Sequence, residues 1–330
     1  SSDLYHEEVG SFESGSVYIF KRDGSIWSLQ ARLTGDVSYQ ARFGVSLALD
    51  GDLALIGTEK ASSAYVFRRT TFGQGVVLWL REAKLTSSDA VTGSSFGAAV
   101  ALDGGTALVG AYRDSSAVYQ AGSAYVFALN GSVWTQQVKL TAGIGVQNAY
   151  FGTAVAIEGD STIVGVPGEN TPAGTQAGRA YVFLRINSIW SQQAKITPSD
   201  GKEGGNFGSS VSLSGNTALV GAYTVAANDI GQVYVFTRES TVWNQQAKLT
   251  PIAAMGAYFG ASVALDGDTA LIGMPSDRTV ATAAGSAYVF TRDGMSWTQQ
   301  AKLTANDASE YDTFGVSVAL VGDTALIGAD

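Results

Sequence analysis

The chain has 330 residues, 45% of them apolar and 15% charged, with 40 glycines, 5 prolines and no cysteine, a composition that excludes a disordered chain and removes disulfides, thiolate metal sites and cysteine nucleophiles together. A formal net charge of −9, from 29 acidic and 20 basic residues, repels a polyanion over most of the surface and argues against nucleic acid as a partner. No apolar run approaches the roughly 18 residues that span a bilayer, and the polar start SSDLYHEEVG has no signal-peptide character, although a mature form that has lost its signal fits equally well.

In chain order the first predicted elements are two strands, GSVYIF (15–20) and WSLQARLT (27–34). They are the second half of a unit whose whole form comes next. A Phe-Gly pair opens that unit at Phe43 and recurs at Phe96, Phe151, Phe207, Phe259 and Phe314, with spacings of 52 to 56 residues. Self-similarity at such a period marks a solenoid, a propeller or an array. The clearest copy holds four strands: FGASVAL (259–265), then across Gly267-Asp268 the strand TALIG (269–273), then SAYVF (286–290), and across Arg292-Asp293-Gly294 the strand WTQQAKLT (297–304). Asp-Gly flanked by alternating apolar residues is a strong hairpin signal, so each unit reads as an antiparallel meander. Strict alternation in the fourth strand puts Trp297, Gln299, Ala301 and Leu303 on one face and Thr298, Gln300, Lys302 and Thr304 on the other. The chain finishes on a first and a second strand, FGVSVAL (314–320) and TALIG (324–328).

One meander cannot bury both its faces, so copies must stack. Small residues in the first strand (Gly260, Ala261, Ser262, Ala264) suit a crowded axis, and Gln-Gln and Lys in the fourth (Gln136, Gln137, Lys139; Gln245, Gln246, Lys248) suit an outer edge. The expected fold is therefore all-β, a single six-bladed β-propeller over residues 1–330. One blade is split between 15–34 and 314–328, so that the N-terminal third and fourth strands pair with the C-terminal first and second.

With Phe-Gly at each repeat start and Gly-Ala or a similar pair after the second strand (Gly110-Ala111, Gly165-Val166-Pro167, Gly221-Ala222, Gly273-Met274-Pro275, Gly328-Ala329), the chain resembles the FG-GAP repeat β-propellers, whose relatives include the heads of integrin α subunits. The resemblance implies the fold and an extracellular or cell-surface role in adhesion or ligand binding. Two features depart from the integrin type, which usually has seven blades and often holds calcium between its first and second strands. Six units are counted here, and that loop is only Asp-Gly-Asp-Thr (266–269) or Ser-Gly-Asn-Thr (214–217), too short to supply six to eight oxygen ligands.

In a four-stranded meander the 1–2 and 3–4 turns share one face, and the 2–3 loops and 4–1 crossings share the other. The first set is short. The second is long and differs in every copy, as in 111–121, 166–177, 197–206 and 304–313, and function tends to sit on variable loops held by a rigid scaffold. An outlier on the short-turn face is the hairpin RRTTFGQGVVLW (68–79), with Phe72 at its tip.

Catalytic groupings are scarce. The single histidine, His6, lies in the N-terminal segment, and no His/Cys metal set can be assembled. Glycoside chemistry would need two loop carboxylates, from Asp89, Asp114, Asp200, Glu203, Asp307, Glu310 and Asp312. Acids of the short turns, such as Asp266 and Asp268, read as turn formers bonded to nearby amides. The tryptophans Trp27, Trp79, Trp134, Trp190, Trp243 and Trp297 read as packing between blades. Loop tyrosines offer a flat ring with a hydrogen-bonding tip, so the candidate ligand-binding residues are Tyr39, Tyr112, Asp114, Tyr119, Tyr223 and Tyr311, while Tyr150 and Tyr258, beside Phe-Gly, read as structural. The expectation is a binding or adhesion propeller, not an enzyme, with no catalytic residue, metal or cofactor and with a protein or glycan ligand. A lectin, a structural subunit of a larger assembly and a glycan-active enzyme are the alternatives.

Overall fold

The computed structural model describes residues 15–36, 41–89, 93–143, 145–224 and 229–330. It opens on a two-stranded sheet, β1 (Val17–Asp23) with β2 (Ile26–Leu33). Five four-stranded antiparallel sheets follow. Blade 1 is β3 (Phe43–Asp50), β4 (Leu53–Thr58), β5 (Ser63–Thr71) and β6 (Val77–Leu85); blade 2 is β7 (Phe96–Asp103), β8 (Thr106–Ala111), β9 (Ser123–Asn130) and β10 (Val133–Leu140). Blade 3 is β11 (Val155–Glu158), β12 (Ser161–Val166), β13 (Arg179–Ile186) and β14 (Ile189–Ile196); blade 4 is β15 (Phe207–Ser214), β16 (Thr217–Ala222), β17 (Gln232–Glu239) and β18 (Val242–Leu249). Blade 5 is β19 (Ser262–Asp266), β20 (Thr269–Met274), β21 (Ser286–Asp293) and β22 (Ser296–Leu303), and β23 (Ser317–Val321) with β24 (Thr324–Gly328) forms the last two-stranded sheet. Successive first strands lie against one another while successive fourth strands barely meet, so the blades fan outward from the Phe-Gly strand.

The core is a series of inter-blade layers. Between blades 4 and 5, Leu219, Val233 and Val235 of one sheet pack on Phe259, Ile272, Tyr288 and Phe290 of the next. Phe259 meets Tyr288 and Phe290 edge-on, with centroids 5.5 and 6.3 Å away, and burying each such ring is worth roughly 1.5–3 kcal/mol. The glycine one residue before the end of the second strand in each complete blade sets the spacing. A Cβ on Gly165 would stand 1.9 Å from the carbonyl oxygen of Gly208 in the next blade, and one on Gly273 would stand 1.9 Å from that of Gly315.

Strict alternation in the fourth strand fails at one residue. In blade 5 Val289 pairs with Ala301 but Phe290 pairs with Gln299, leaving Gln300 as a bulge. The extra residue reverses the faces beyond it, so Trp297 and Gln299 lie on the face opposite Ala301 and Leu303. The same shift falls in each third–fourth strand pair, at Gln30, Glu82, Gln137, Gln193 and Gln246. Its use is plain from the next blade, whose tryptophan donates its indole N–H to the bulged side chain: Trp79 to Gln30 at 2.7 Å, Trp134 to Glu82 at 2.7 Å, Trp243 to Gln193 at 2.9 Å and Trp297 to Gln246 at 3.0 Å.

Turn acids also act between blades and not within their own turns. Asp50, Asp103, Glu158 and Asp266 each accept the turn-glycine amide of the following blade, from Gly104, Gly159, Gly215 and Gly322. The second acid of the turn, such as Asp268, takes the guanidinium of Arg292, which also donates to Thr217 of the preceding blade and lies over Trp297.

The two half-blades stand as separate sheets. Their residues are exposed where the equivalents in complete blades are covered: Leu326 is 68% exposed against 0% for Leu271, and Leu47 and Leu49, on the neighbouring first strand, are 53% and 66% exposed. Phe20 and Trp27 are likewise exposed.

Candidate functional site

On the loop face, each complete blade carries one recurrent polar knot. The third residue of the third strand is a tyrosine whose ring is buried and whose hydroxyl reaches an acid. In blades 1, 2 and 4 the acid comes from the incoming 4–1 crossing: Tyr65 donates to Asp36 at 2.6 Å, Tyr125 to Asp89 at 2.8 Å and Tyr234 to Asp200 at 2.8 Å. In blades 3 and 5 it comes from the 2–3 loop, with Tyr181 donating to Glu169 at 2.8 Å and Tyr288 to Asp277 at 2.7 Å. A fourth-strand lysine joins in, as Lys139 does to Asp89 at 2.5 Å, Lys248 to Asp200 at 2.5 Å and Lys302 to Asp277 at 2.8 Å. Burial opposes the charge on Asp277, but the Lys302 ammonium and the hydroxyls of Ser286 and Tyr288 outweigh it and hold the carboxyl below its usual range. Burial pushes the Tyr125 phenol up to about 12.

Asp114 belongs to this knot. It is 4% exposed, and its carboxylate takes Lys139 at 2.7 Å, Ser123 at 2.7 Å, the Ser116 amide at 2.9 Å and Tyr125 at 3.2 Å. Burial works against its charge and the Lys139 and Ser123 contacts prevail, so its pKa is lowered too. A carboxylate so engaged is a brace for the loop. The sign in the sequence is the run Leu/Ile-Thr followed by Asp two or three residues on, at Asp36, Asp89, Asp200 and Asp307; sequence reasoning read the last three only as loop acids and did not single out Asp36.

The other candidates fall into two groups. Tyr112 and Tyr223 are half-buried at the inner rim. Tyr112 donates to Glu59 at 2.7 Å, which Arg42 also grips at 2.7 Å, and its ring meets Tyr150 at 6.2 Å with Arg113 over its face. Tyr223 meets Tyr258 at 5.5 Å. Tyr150 and Tyr258 hold positive φ angles of 60° and 70°, a region that costs a bulky residue energy and is kept only where the surroundings over-determine it. Tyr119 and Tyr311 are 59% and 67% exposed farther out on the same face. Tyr39 and His6 lie outside the described residues. Of the remaining loop acids, Glu203 accepts from Thr175 at 3.0 Å, Glu310 from Thr282 at 3.4 Å and Asp312 from the Ser309 amide at 2.5 Å. The loop face thus offers aromatic rings with hydroxyl tips, and its best-buried acids are tied to tyrosine and a basic residue, Lys139 at Asp114, Lys302 at Asp277 and Arg179 at Glu169.

On the opposite face the 68–79 hairpin carries Phe72 at 47% exposure, beside Val76, Leu78 and Leu80, all exposed. Among the described residues no helix is long and apolar enough to cross a membrane.

Comparison with solved structures finds the β-propeller domain of Cps50 (Swd1) from Myceliophteria thermophila, with a TM-score of 0.61 at 13% identity over 96% of this chain and 87% of that one, a likeness of fold alone. No curated protein matches the chain. The family model described as FG-GAP repeat matches residues 79–127, 134–183, 190–236, 243–290 and 297–330. Each matched segment begins on or beside a fourth-strand tryptophan, and all but the last run through the following Phe-Gly and Tyr-Val-Phe strands, the elements that build one inter-blade layer. The chain belongs to the FG-GAP repeat family of β-propellers.

Proposed function

We propose that this chain is a non-catalytic binding propeller that presents its 2–3 and 4–1 loop face to a glycan or protein ligand outside the cell. The observation that carries the reading is the distribution of side chains on that face. Tyrosines stand at its rim and periphery while Asp89, Asp114, Asp200 and Asp277 are engaged with lysine and tyrosine, which leaves rings for contact and braces for rigidity. The extracellular setting and the adhesion role rest on the kinship with integrin-type heads. Glycan-array binding by the intact chain, lost on Tyr119→Ala and Tyr311→Ala with the melting temperature unchanged, is the expected result for a glycan ligand. A blank array with saturable capture by a purified protein partner, lost on the same changes, is the result for adhesion. Turnover of a glycan on the array would overturn the non-catalytic reading.

We further propose that the ring is six-bladed, forms a single domain, and closes by joining β24 to β1. Blade 5 supplies the register, since Gly273 pairs with Ala287 and Ala270 with Phe290; the equivalent pairs are Gly328 with Val17 and Ala325 with Phe20. Closure would cover Leu326 with Leu47 and Leu49, place Phe314 against Tyr18 and Phe20, and bring Asp307 to the Tyr18 and Arg32 positions that Asp200 serves through Tyr234 and Lys248. Gly328 supports it too. A Cβ there would meet only Ser317 of its own sheet, so the glycine is required by a neighbour only if Gly44 takes the place that Gly315 holds beside Gly273.

A further inference from the structure

The junction between blades 2 and 3 departs from the others. Of the five tryptophans in complete blades, Trp190 is 8% exposed, and its indole N–H has no hydrogen-bond partner among the described residues. The bulged residue that should accept it, Gln137, instead turns back to Thr135, donating to its Oγ1 at 2.9 Å. Three neighbouring positions are reduced in the same place. Gly105 stands where the other turns have Asp52, Asp160, Asn216 and Asp268, and Leu129 stands where the third strand elsewhere has Arg69, Arg185, Arg238 and Arg292. Ala128 stands where blade 1 has Arg68. These residues, with Arg185 and Trp190, line a cleft of about 320 Å³, within the range of small-molecule sites.

The preceding junction shows what fills this space when it is filled. There Glu82 accepts the Trp134 indole at 2.7 Å on the oxygen that also takes Nη2 of Arg68, while Nε of Arg68 holds its other oxygen, so one carboxylate answers an indole donor and a guanidinium together. In the cleft the indole of Trp190 is the counterpart of that donor. Arg185 supplies the positive charge, with Nε on Asp160 at 2.6 Å and Nη1 on Thr106 at 3.2 Å and Nη2 making no hydrogen bond among the described residues. No acidic side chain lines the cleft. We propose that the cleft between blades 2 and 3, on the turn face and apart from the loop-face site, binds a carboxylate, whether from a small sugar acid or from an acidic side chain of a peptide. The carboxylate oxygen accepts from the Trp190 indole and sits beside the Arg185 guanidinium, a charge-assisted pairing of the kind that specifies carboxylates.

The test is titration of the full chain labelled at the indole nitrogens, with the Trp190 resonance assigned through Trp190→Phe. The probes are sodium acetate, glucuronate and an N-acetylated, amidated glutamate, each against sodium chloride at equal ionic strength. The expected result is a saturable shift of the Trp190 indole alone. Ala128→Arg combined with Gln137→Glu rebuilds the Arg68–Glu82 arrangement, and it should weaken binding about tenfold or more while leaving the other indole resonances in place, the loss of one charge-assisted hydrogen bond. Tighter binding of glucuronate than acetate identifies a sugar acid, and tighter binding of the capped glutamate identifies a peptide side chain. A Trp190 resonance that follows chloride and carboxylate alike means the cleft holds solvent only and overturns the proposal. So does a Gln137→Ala chain whose Trp190 resonance moves without any ligand, because Gln137 then already caps the indole.

Discussion

The layer between blades 4 and 5 and the surfaces at the two ends of the series are written in the same residue pattern and meet different fates. In the layer, Phe259 and Tyr288 are fully buried, the Trp297 indole is capped by Gln246, and Gly221 lets the Gly260 carbonyl approach. At the ends, Trp27 and Leu326 are 61% and 68% exposed. The difference teaches that a half-blade has the full set of interlocking groups but gains from them only when a neighbour arrives. Stability in this architecture belongs to junctions, as in other repeat proteins whose units contact only their neighbours.

The largest expected effect comes from removing residues 314–330. The β23–β24 sheet covers one face of blade 5, so its loss lowers the melting temperature whether or not the ring closes. Hydrogen exchange separates the two cases. With closure, the amides of Val17–Asp23 lose protection when the far end of the chain is removed; unchanged protection there would refute the joined blade. Next in size is Trp243→Ala, a truncation of a core ring at 8% exposure that should cost roughly 3–5 kcal/mol in chemical denaturation. Trp27→Ala is its partner at the chain end. It should cost a similar amount if closure brings β1–β2 against blade 5, where Gln300 is the bulged residue, and well under 1 kcal/mol, as for an ordinary surface change, if it does not.

A finer comparison uses one methyl group. Gly273→Ala drives a Cβ to 1.9 Å from the Gly315 carbonyl oxygen, and the same change at Gly328 meets only the Ser317 side chain, at 2.3 Å. Overpacking of this kind costs typically 1–3 kcal/mol, and more where the obstacle is backbone. Equal loss of stability in the two variants supports closure, because Gly328 would then face a carbonyl too. A nearly neutral Gly328→Ala beside a damaging Gly273→Ala would sink it.

How far these junctions can be read from sequence depends on whether a contact follows a local period. The Phe-Gly strand, the Asp-Gly hairpins and the packing role of the tryptophans are legible, because alternation and turn chemistry are short-range. The fourth strand misleads at Gln246, since one extra residue reverses every side chain beyond it and nothing local announces the bulge. The Gln-Gln pair therefore reads as edge protection although its second member is the acceptor for the next blade's indole. Asp266 reads as a turn former although its amide partner, Gly322, lies in the next blade. At the candidate site the tyrosines are legible by type and Asp114 is not, because an acid in a long loop looks solvated until Lys139 and Tyr125 are found around it. The cleft at Trp190 was within reach of the sequence. Gly105, Ala128 and Leu129 are the places where blade 2 stops matching its neighbours, but only the folded junction shows that all three border one space.

The smallest expected effect is on the pH dependence of stability, and it tests the polar knots directly. Asp277 has a lowered pKa in the fold, first against the penalty of burial and then through Lys302, Ser286 and Tyr288. A group of this sign contributes stability that is fully present above its unfolded value of about 3.9 and is lost as pH falls through the lowered native value. Asp277→Asn should therefore be less stable than the parent at pH 7 and should lose less on acidification below pH ~4. Parallel acid limbs for the two proteins would show that the Lys302 contact is not formed in solution. Tyr125 gives the opposite limb. Its phenol is raised to about 12 from an unfolded value of about 10, so its contribution is complete below the unfolded value and is lost as pH rises through the native one. Tyr125→Phe should flatten that alkaline loss while sacrificing the hydrogen bonds to Asp89 and Asp114. At the chain ends, Asp307→Asn should destabilise as much as Asp200→Asn if β1 and β24 are joined, because only then does the end acid acquire the tyrosine and the basic residue that the interior acid already has.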